Sequence, residues 1–221
     1  MKLIVTGAAG ALGTATAGLL EREGHEVACI VLKVQPGAPA LMIGCEDLAN
    51  LEAAARAIDL AAERLGGLNG VLHLAEAFDW RPVAGSDATL WQALFRANLE
   101  TSLSVVKAAL PLLAPDGAFV TIGAASAVPS GAGMVPHAAS KSAVARLTEC
   151  LAAELRPGGI RINTLLPGII FTPAHRAAMP NADFSTWTHP DAVADAAAFL
   201  LSPSARAIHG ALIPVTNGVG C

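Results

Sequence analysis

The chain has 221 residues, 53% hydrophobic and 14% charged, with a formal net charge of −4. That length suits one α/β domain with a large core. Lysines and arginines that do not cluster exclude an electrostatic footprint for nucleic acid. Alanine carries much of the mean hydropathy of +0.53, and no apolar run reaches the about 18 residues of a membrane span, so no membrane partner is expected.

The N-terminal stretch MKLIVTGAAGALG breaks into glycines too early for a signal segment and reads as a strand and a turn. Cys29, Cys45, Cys150 and Cys221 show neither metal-ligand nor redox spacing. A reduced, cytoplasmic protein without a metal centre is the expectation, with Cys29 and Cys45 as buried, inert thiols.

In chain order, Lys2–Thr6 is a first strand and Ala11–Glu23 a helix ended by Gly24. Val27–Leu32 and Ala40–Ile43 are the second and third strands, and Leu48–Leu65 a helix stopped by Gly66–Gly67. Gly70–Leu74 is the fourth strand, two helices cover Ala88–Leu113, and Ala118–Ile122 is the fifth strand. Pro136–Leu155 is a long helix, Ile160–Leu165 the sixth strand, Asp191–Leu201 a helix and Ala211–Val215 the last strand. Such alternation over the full length predicts a single Rossmann-type domain, residues 1–221, with a doubly wound, mainly seven-stranded parallel sheet. Only Lys33–Pro39, with two prolines and a glycine, separates the second and third strands. A crossover usually needs a dozen residues or more, so the helix there is predicted shortened or lost, leaving the adenosine side of a nucleotide site thinly walled.

TGAAGALG, Thr6 to Gly13, lies between strand and helix, where a phosphate-binding glycine turn must lie. Gly7 permits the tight turn, Gly10 lets backbone approach a pyrophosphate, and Gly13 lets the helix pack close on the strand. The free amides at the helix start, among them that of Leu12, then face the phosphates.

From here the chain resembles the short-chain dehydrogenases/reductases along essentially its whole length. Asp47–Leu48, spaced before Gly66–Leu68, match the family's adenine-contacting Asp, and Asn98 in FRANLETSL its catalytic-helix Asn. Ala75 falls at the end of the fourth strand, beside the cofactor. RINTLLPGIIFT, Arg161 to Thr172, resembles the strand and Pro-Gly turn (Pro167, Gly168, then Thr172) that close over the nicotinamide. HPDAVADAAAFLLSPSARAIHGALIPVTNG resembles the closing helix and last strand. The resemblance implies NAD or NADP as cofactor and a small-molecule substrate. It also implies a dimer or tetramer formed through Leu90–Leu113 and Pro136–Leu155.

The catalytic set departs from the family. HAASK places His137 where the tyrosine of Tyr-x-x-x-Lys belongs, and the chain contains no tyrosine at all. The serine position reads Ala124; Ser126, two residues on, shares its face only if the strand continues. The set thus becomes Ala124, His137 and Lys141, with Asn98 kept. In the family the lysine binds the nicotinamide ribose. His137 and Lys141 are one helical turn apart, and an adjacent ammonium favours a neutral imidazole, a base rather than a proton donor. His137 is the candidate acid/base, or it fills the tyrosine's space.

Glu76 occupies a position that is often glycine, where a carboxylate either hydrogen-bonds a ribose or repels the pyrophosphate. GALG in the first turn, the alanine at the serine position and the segment GAGMVPHAASKSAV also resemble dihydropteridine reductases. That branch delivers hydride to an activated ring and retains its tyrosine. Lys33 leans toward a 2′-phosphate, without deciding between NAD and NADP. The segment Pro173–Thr188 is the expected lid, with Met179, Phe184 and Trp187 as candidates for an apolar pocket. Three functions stay open: a hydride-transferring oxidoreductase, a catalytically impaired NAD(P)-binding sensor or assembly protein, and a non-redox acid/base enzyme using His137.

Overall fold

The computed structural model describes residues 1–127 and 132–218; Cys221 and residues 128–131 lie outside the described part. Seven parallel strands form one sheet in the order β3-β2-β1-β4-β5-β6-β7. They are β1 (Lys2–Thr6), β2 (Glu26–Val31), β3 (Met42–Gly44), β4 (Leu68–His73), β5 (Leu113–Ile122), β6 (Arg161–Pro167) and β7 (Leu212–Val215). The helices are α1 (Ala11–Arg22), α2 (Leu51–Leu65), α3 (Ala88–Phe95), α4 (Thr101–Ala109), α5 (Val135–Leu155), α6 (Pro173–Ala178) and α7 (Pro190–Leu201).

Alternation along the strands builds two cores. Ile4, Ile30, Phe119 and Ile162 point to the face covered by α2, α4 and α5. Leu3, Val5, Leu72, Val120 and Leu165 point to the face covered by α1 and α7. Burial on both faces is why these strands read as continuous apolar runs. Phe119 is completely buried, and truncating such a side chain to alanine costs about 3–5 kcal/mol.

Arg161 ties β6 to the end of α7. Its guanidinium donates to the carbonyls of Leu200 (2.8 Å), Ser202 (3.1 Å) and Ala205 (3.2 Å), satisfying helix-end acceptors that otherwise lack partners. On the other face Thr164 of β6 bonds Thr121 of β5 at 2.6 Å and Thr148 of α5 at 2.7 Å. This hydroxyl cluster fixes α5 on the sheet and so positions Lys141 about two turns and His137 about three turns before it.

Boundaries differ from expectation where side chains or turns take over backbone bonds. β3 starts at Met42 instead of Ala40, because Met42 N–H bonds Pro39 O at 2.9 Å and closes a turn over Ala40–Leu41. The second helix starts at Leu51 instead of Leu48. Asp47 accepts from Ala49 N at 3.1 Å, and Asn50 caps the helix by accepting from Ala53 N at 2.9 Å. β5 begins at Leu113, five residues early, through a pairing of Leu113 with Leu68 that precedes an irregular step in register. β4, β6 and β7 shift by one or two residues at their ends.

Two features bear on the site. No helix joins β2 to β3, as expected, and Leu32 and Val34 in that connection are 63% and 43% exposed. Between α3 and α4 the helix widens into a five-residue π turn, Arg96–Glu100. Asn98 lies inside it, and its carbonyl accepts from Ser102 Oγ at 2.7 Å.

Candidate active site

Strand order reverses between β1 and β4, and the carboxyl ends of these neighbours open a crevice, the place where open α/β sheets bind ligands. Gly7 ends β1 at φ +66°, and a Cβ there would stand 2.7 Å from Ala75 N and Leu74 C. A Cβ on Gly13 would sit 2.3 Å from Gly7 O. Both glycines are demanded by backbone meeting backbone. Gly10 is different: its φ is −73°, and its nearest neighbour would be Gly7 O at 3.4 Å. Folding therefore tolerates a side chain at Gly10, and its absence leaves the turn open toward the groove. The first helical bond runs from Thr14 N to Gly10 O at 2.8 Å. The amides of Ala11, Leu12 and Gly13 precede it and have no intrahelical acceptor. A diphosphate fits such a cradle.

The groove beyond this turn has a volume of about 840 Å³ and is lined by Gly7, Gly10, Leu12, Gly13, Asp47, Leu48, Ala75 and Thr172, among others. All but three of the residues expected to hold the dinucleotide thus come together, the exceptions being Lys141, Pro167 and Gly168; Lys33 does not line the groove either. Pro167 and Gly168 line the adjoining cavity instead. Asp47 carries a partner that the sequence did not suggest, Arg96 Nη2 at 2.5 Å, across the groove mouth. Both side chains are about half exposed, and such a pair exchanges for other partners at little cost.

The adjoining cavity, about 380 Å³, is walled by Phe78, Met134, His137, Ile170, Met179 and Trp187, with Ala124 and Ser126 on its rim. Met179 and Trp187 of the lid thus line it. Phe184 stands behind, its ring 4.8 Å from that of Trp187. β5 ends at Ile122, so strand alternation does not place Ser126, which sits in a short 3-10 turn. Groove and cavity share Glu76, Ile170 and His175.

His175, which the sequence did not single out, is oriented by the lid. Thr172 caps α6 by accepting from His175 N at 3.1 Å. The ring Nδ1 lies 2.8 Å from Ile170 O, so Nδ1 carries a proton and, in the neutral ring, Nε2 is the acceptor. No short sequence motif marks such a residue.

At the corner of β4 and α5, Asn98 is 1% exposed and its amide is fully committed. Oδ1 accepts from Ala77 N at 2.9 Å, and Nδ2 donates to Ala77 O at 3.1 Å and to Ser140 Oγ at 2.8 Å. Ser140 Oγ in turn donates to His137 O at 2.7 Å. Asn98 therefore clamps the chain after β4 to the catalytic helix. Lys141 is also 1% exposed, donates to Ile122 O at 3.0 Å and pairs with Glu76. It lines neither the groove nor the cavity.

His137 packs edge-on against Phe78, with ring centroids 4.9 Å apart. Burial, and then the Lys141 charge, push its pKa down to about 4. Its Nδ1 is buried with no hydrogen-bond partner. A second buried histidine, His73, has its pKa pushed to about 3, chiefly by burial, and Thr6 and Thr101 hold its two nitrogens. Among the described residues no three His, Cys, Asp or Glu gather as a metal cluster, and no helix is long and apolar enough to cross a membrane.

Residues 7–220 match the profile of the family described as enoyl-(acyl carrier protein) reductase. The 4-formylbenzenesulfonate dehydrogenase of Comamonas testosteroni is 31% identical over 97% of this chain and 96% of its own length. The chain belongs to the short-chain dehydrogenase/reductase family. Two solved structures of similar proteins superpose throughout. The ligand-free aldohexose dehydrogenase of Thermoplasma acidophilum has a TM-score of 0.88 at 25% identity, over 98% of this chain and 93% of its own. A short-chain dehydrogenase of Burkholderia cenocepacia in complex with NADP has a TM-score of 0.86 at 27% identity, over 98% and 96%. This short-chain dehydrogenase/reductase is an NAD(P)-dependent oxidoreductase, and the glycine turn and groove are where its dinucleotide fits. When bound, that cofactor supplies the hydride exchange; the chain supplies the cavity, its orientation and the handling of protons.

Proposed function

We propose that the protein exchanges hydride between NAD(P) and a small, largely apolar organic substrate seated between Phe78, His137 and the lid. The observation that carries this is the junction at Glu76, Ile170 and His175, where groove and cavity open onto each other. Lys141, Asn98 and Glu76 organise that junction. A ring with a pKa of about 4 is neutral near pH 7, so His137 does not serve as a proton donor to a carbonyl. Suitable chemistry is hydride delivery to a ring that is already electrophilic, as in the dihydropteridine reductases that the sequence resembles; a ring with so low a pKa is also a weak base for an alcohol proton.

Fluorescence titration with NADH and NADPH comes first; no binding of either sinks the proposal. A hydride-transfer screen over alcohols and quinonoid acceptors then compares the parent with His137→Ala and with Ala124→Ser/His137→Tyr. Restoring two donors is worth on the order of 10²–10³ each where such groups act. Turnover confined to the double variant would favour the NAD(P)-binding sensor, and turnover that survives His137→Ala removes the histidine from the chemistry. Assembly into a dimer or tetramer belongs to the same proposal. Leu103 and Val135, 42% and 41% exposed on the helices expected to pair, support it, and light scattering tests it.

A further inference from the structure

The residue that the family uses for the ribose is not the one this groove presents. Lys141 is buried to 1% exposure behind Glu76, and its ammonium is engaged by Ile122 O and by the Glu76 carboxylate. The Glu76 side chain is 33% exposed and lines both groove and cavity. A dinucleotide laid in this groove must bring its reactive ring to the cavity, hence its adjoining ribose to the junction. There it meets carboxylate oxygens, and the ammonium lies beneath them. Ribose hydroxyls are donors and carboxylates are acceptors, so the two fit without displacing the ion pair. The tyrosine that would otherwise partner this lysine is absent from the chain. A buried ammonium needs a counter-charge, and Glu76 provides it.

We propose that Glu76 is the side chain that recognises the nicotinamide ribose, its carboxylate accepting hydrogen bonds from the ribose hydroxyls. Lys141 is then a positioning residue that holds the carboxylate in place from behind.

Calorimetric titration of the parent and of Glu76→Gln with NADH and with AMP, which lacks that ribose, tests this. Hydrogen bonds to a charged acceptor are the strong ones, and a tenfold change corresponds to 1.4 kcal/mol. Glu76→Gln is expected to weaken NADH by about tenfold or more while AMP stays within about twofold. Unchanged or tighter NADH binding would overturn the inference, because the carboxylate would then be idle or a competitor for Lys141. Equal loss for AMP and NADH overturns it as well, since the effect would belong to the groove as a whole. The inference rests on nucleotide binding. A parent that binds neither AMP nor NADH removes both readings, whereas a parent that binds both, with no ribose-specific effect of Glu76→Gln, removes this one alone.

Discussion

Two buried histidines, His73 at the end of β4 and His137 on α5, share a protonation state and differ in everything that follows from it. Thr101 spends its hydrogen on Ala97 O at 2.6 Å, so it must accept from His73 Nε2, 3.2 Å away. That fixes His73 as the Nε2–H tautomer, with Nδ1 accepting from Thr6 Oγ1 at 2.8 Å. Thr6 also accepts from Leu74 N at 3.2 Å, so a closed chain of bonds ties β1, β4 and α4 together just below the glycine turn. His137 has no such closure, since its Nδ1 is left alone. A satisfied buried imidazole is scaffold. In His137 only Nδ1 is left without a partner, a cost of about 1–3 kcal/mol that packing elsewhere must offset, and such costs gather at functional sites.

The largest expected effect comes from breaking the scaffold member. His73→Phe leaves the buried Thr6 hydroxyl without an acceptor and takes away the ring donor to Thr101, and denaturant unfolding should register a loss of about 2–4 kcal/mol. A loss below about 1 kcal/mol would show that the network is decorative.

The next effect is shared by both rings. Their folded pKa values, about 3 and about 4, lie below the ordinary 6.5, so the unfolded chain binds protons that the folded chain refuses. Stability is thus complete above about pH 6.5 and falls as the medium is acidified toward pH 4. The loss is about 1.4 kcal/mol per pH unit per histidine, or about 2 kcal/mol each by pH 5. His137→Phe should roughly halve that slope, and an unchanged slope would mean that His137 is accessible to protons when folded.

The smallest effect has the opposite sign. At pH 8 His137→Phe removes an unpaired nitrogen and keeps a ring against Phe78, so the midpoint should hold or rise by up to about 1 kcal/mol. A fall beyond about 2 kcal/mol would reveal a partner for Nδ1. Beside these, Gly10→Ala is expected to fold normally and to weaken NADH, because only the groove side of that residue is open.

The strand–helix alternation and the glycine turn were legible in the sequence because backbone sterics write them locally. Gly7 and Gly13 sit where a Cβ would strike main chain, and no partner elsewhere can relax that demand. The missing β2–β3 helix was legible by arithmetic alone, since too few residues remain for a crossover. The start of β3 was not, because a Pro39 turn outcompetes an apolar pair at the sheet edge. Nor was the electrostatic character of the site. Lys141 and Glu76 are far apart in sequence, and only the fold shows that one screens the other from the groove. His73 sat inside a strand as an unremarked polar residue, and its role depends on two threonines from separate elements. His175 and Arg96 were missed for the same reason: each acts through a neighbour supplied by tertiary structure.

The π turn at Arg96–Glu100 also acts as a phase shifter. An α-helix advances about 100° per residue, so one added residue in a turn rotates everything beyond it by roughly that angle. Ahead of the turn, Leu94 faces inward; after it, Val105 and Ala109 face the sheet, and Asn98, at the point of slippage, faces Ala77 and Ser140. Removing a single residue between Arg96 and Glu100 would leave composition and propensity almost untouched. Yet it would set the two halves of the helix against each other, so that either the core or the Asn98 clamp could be kept, and not both.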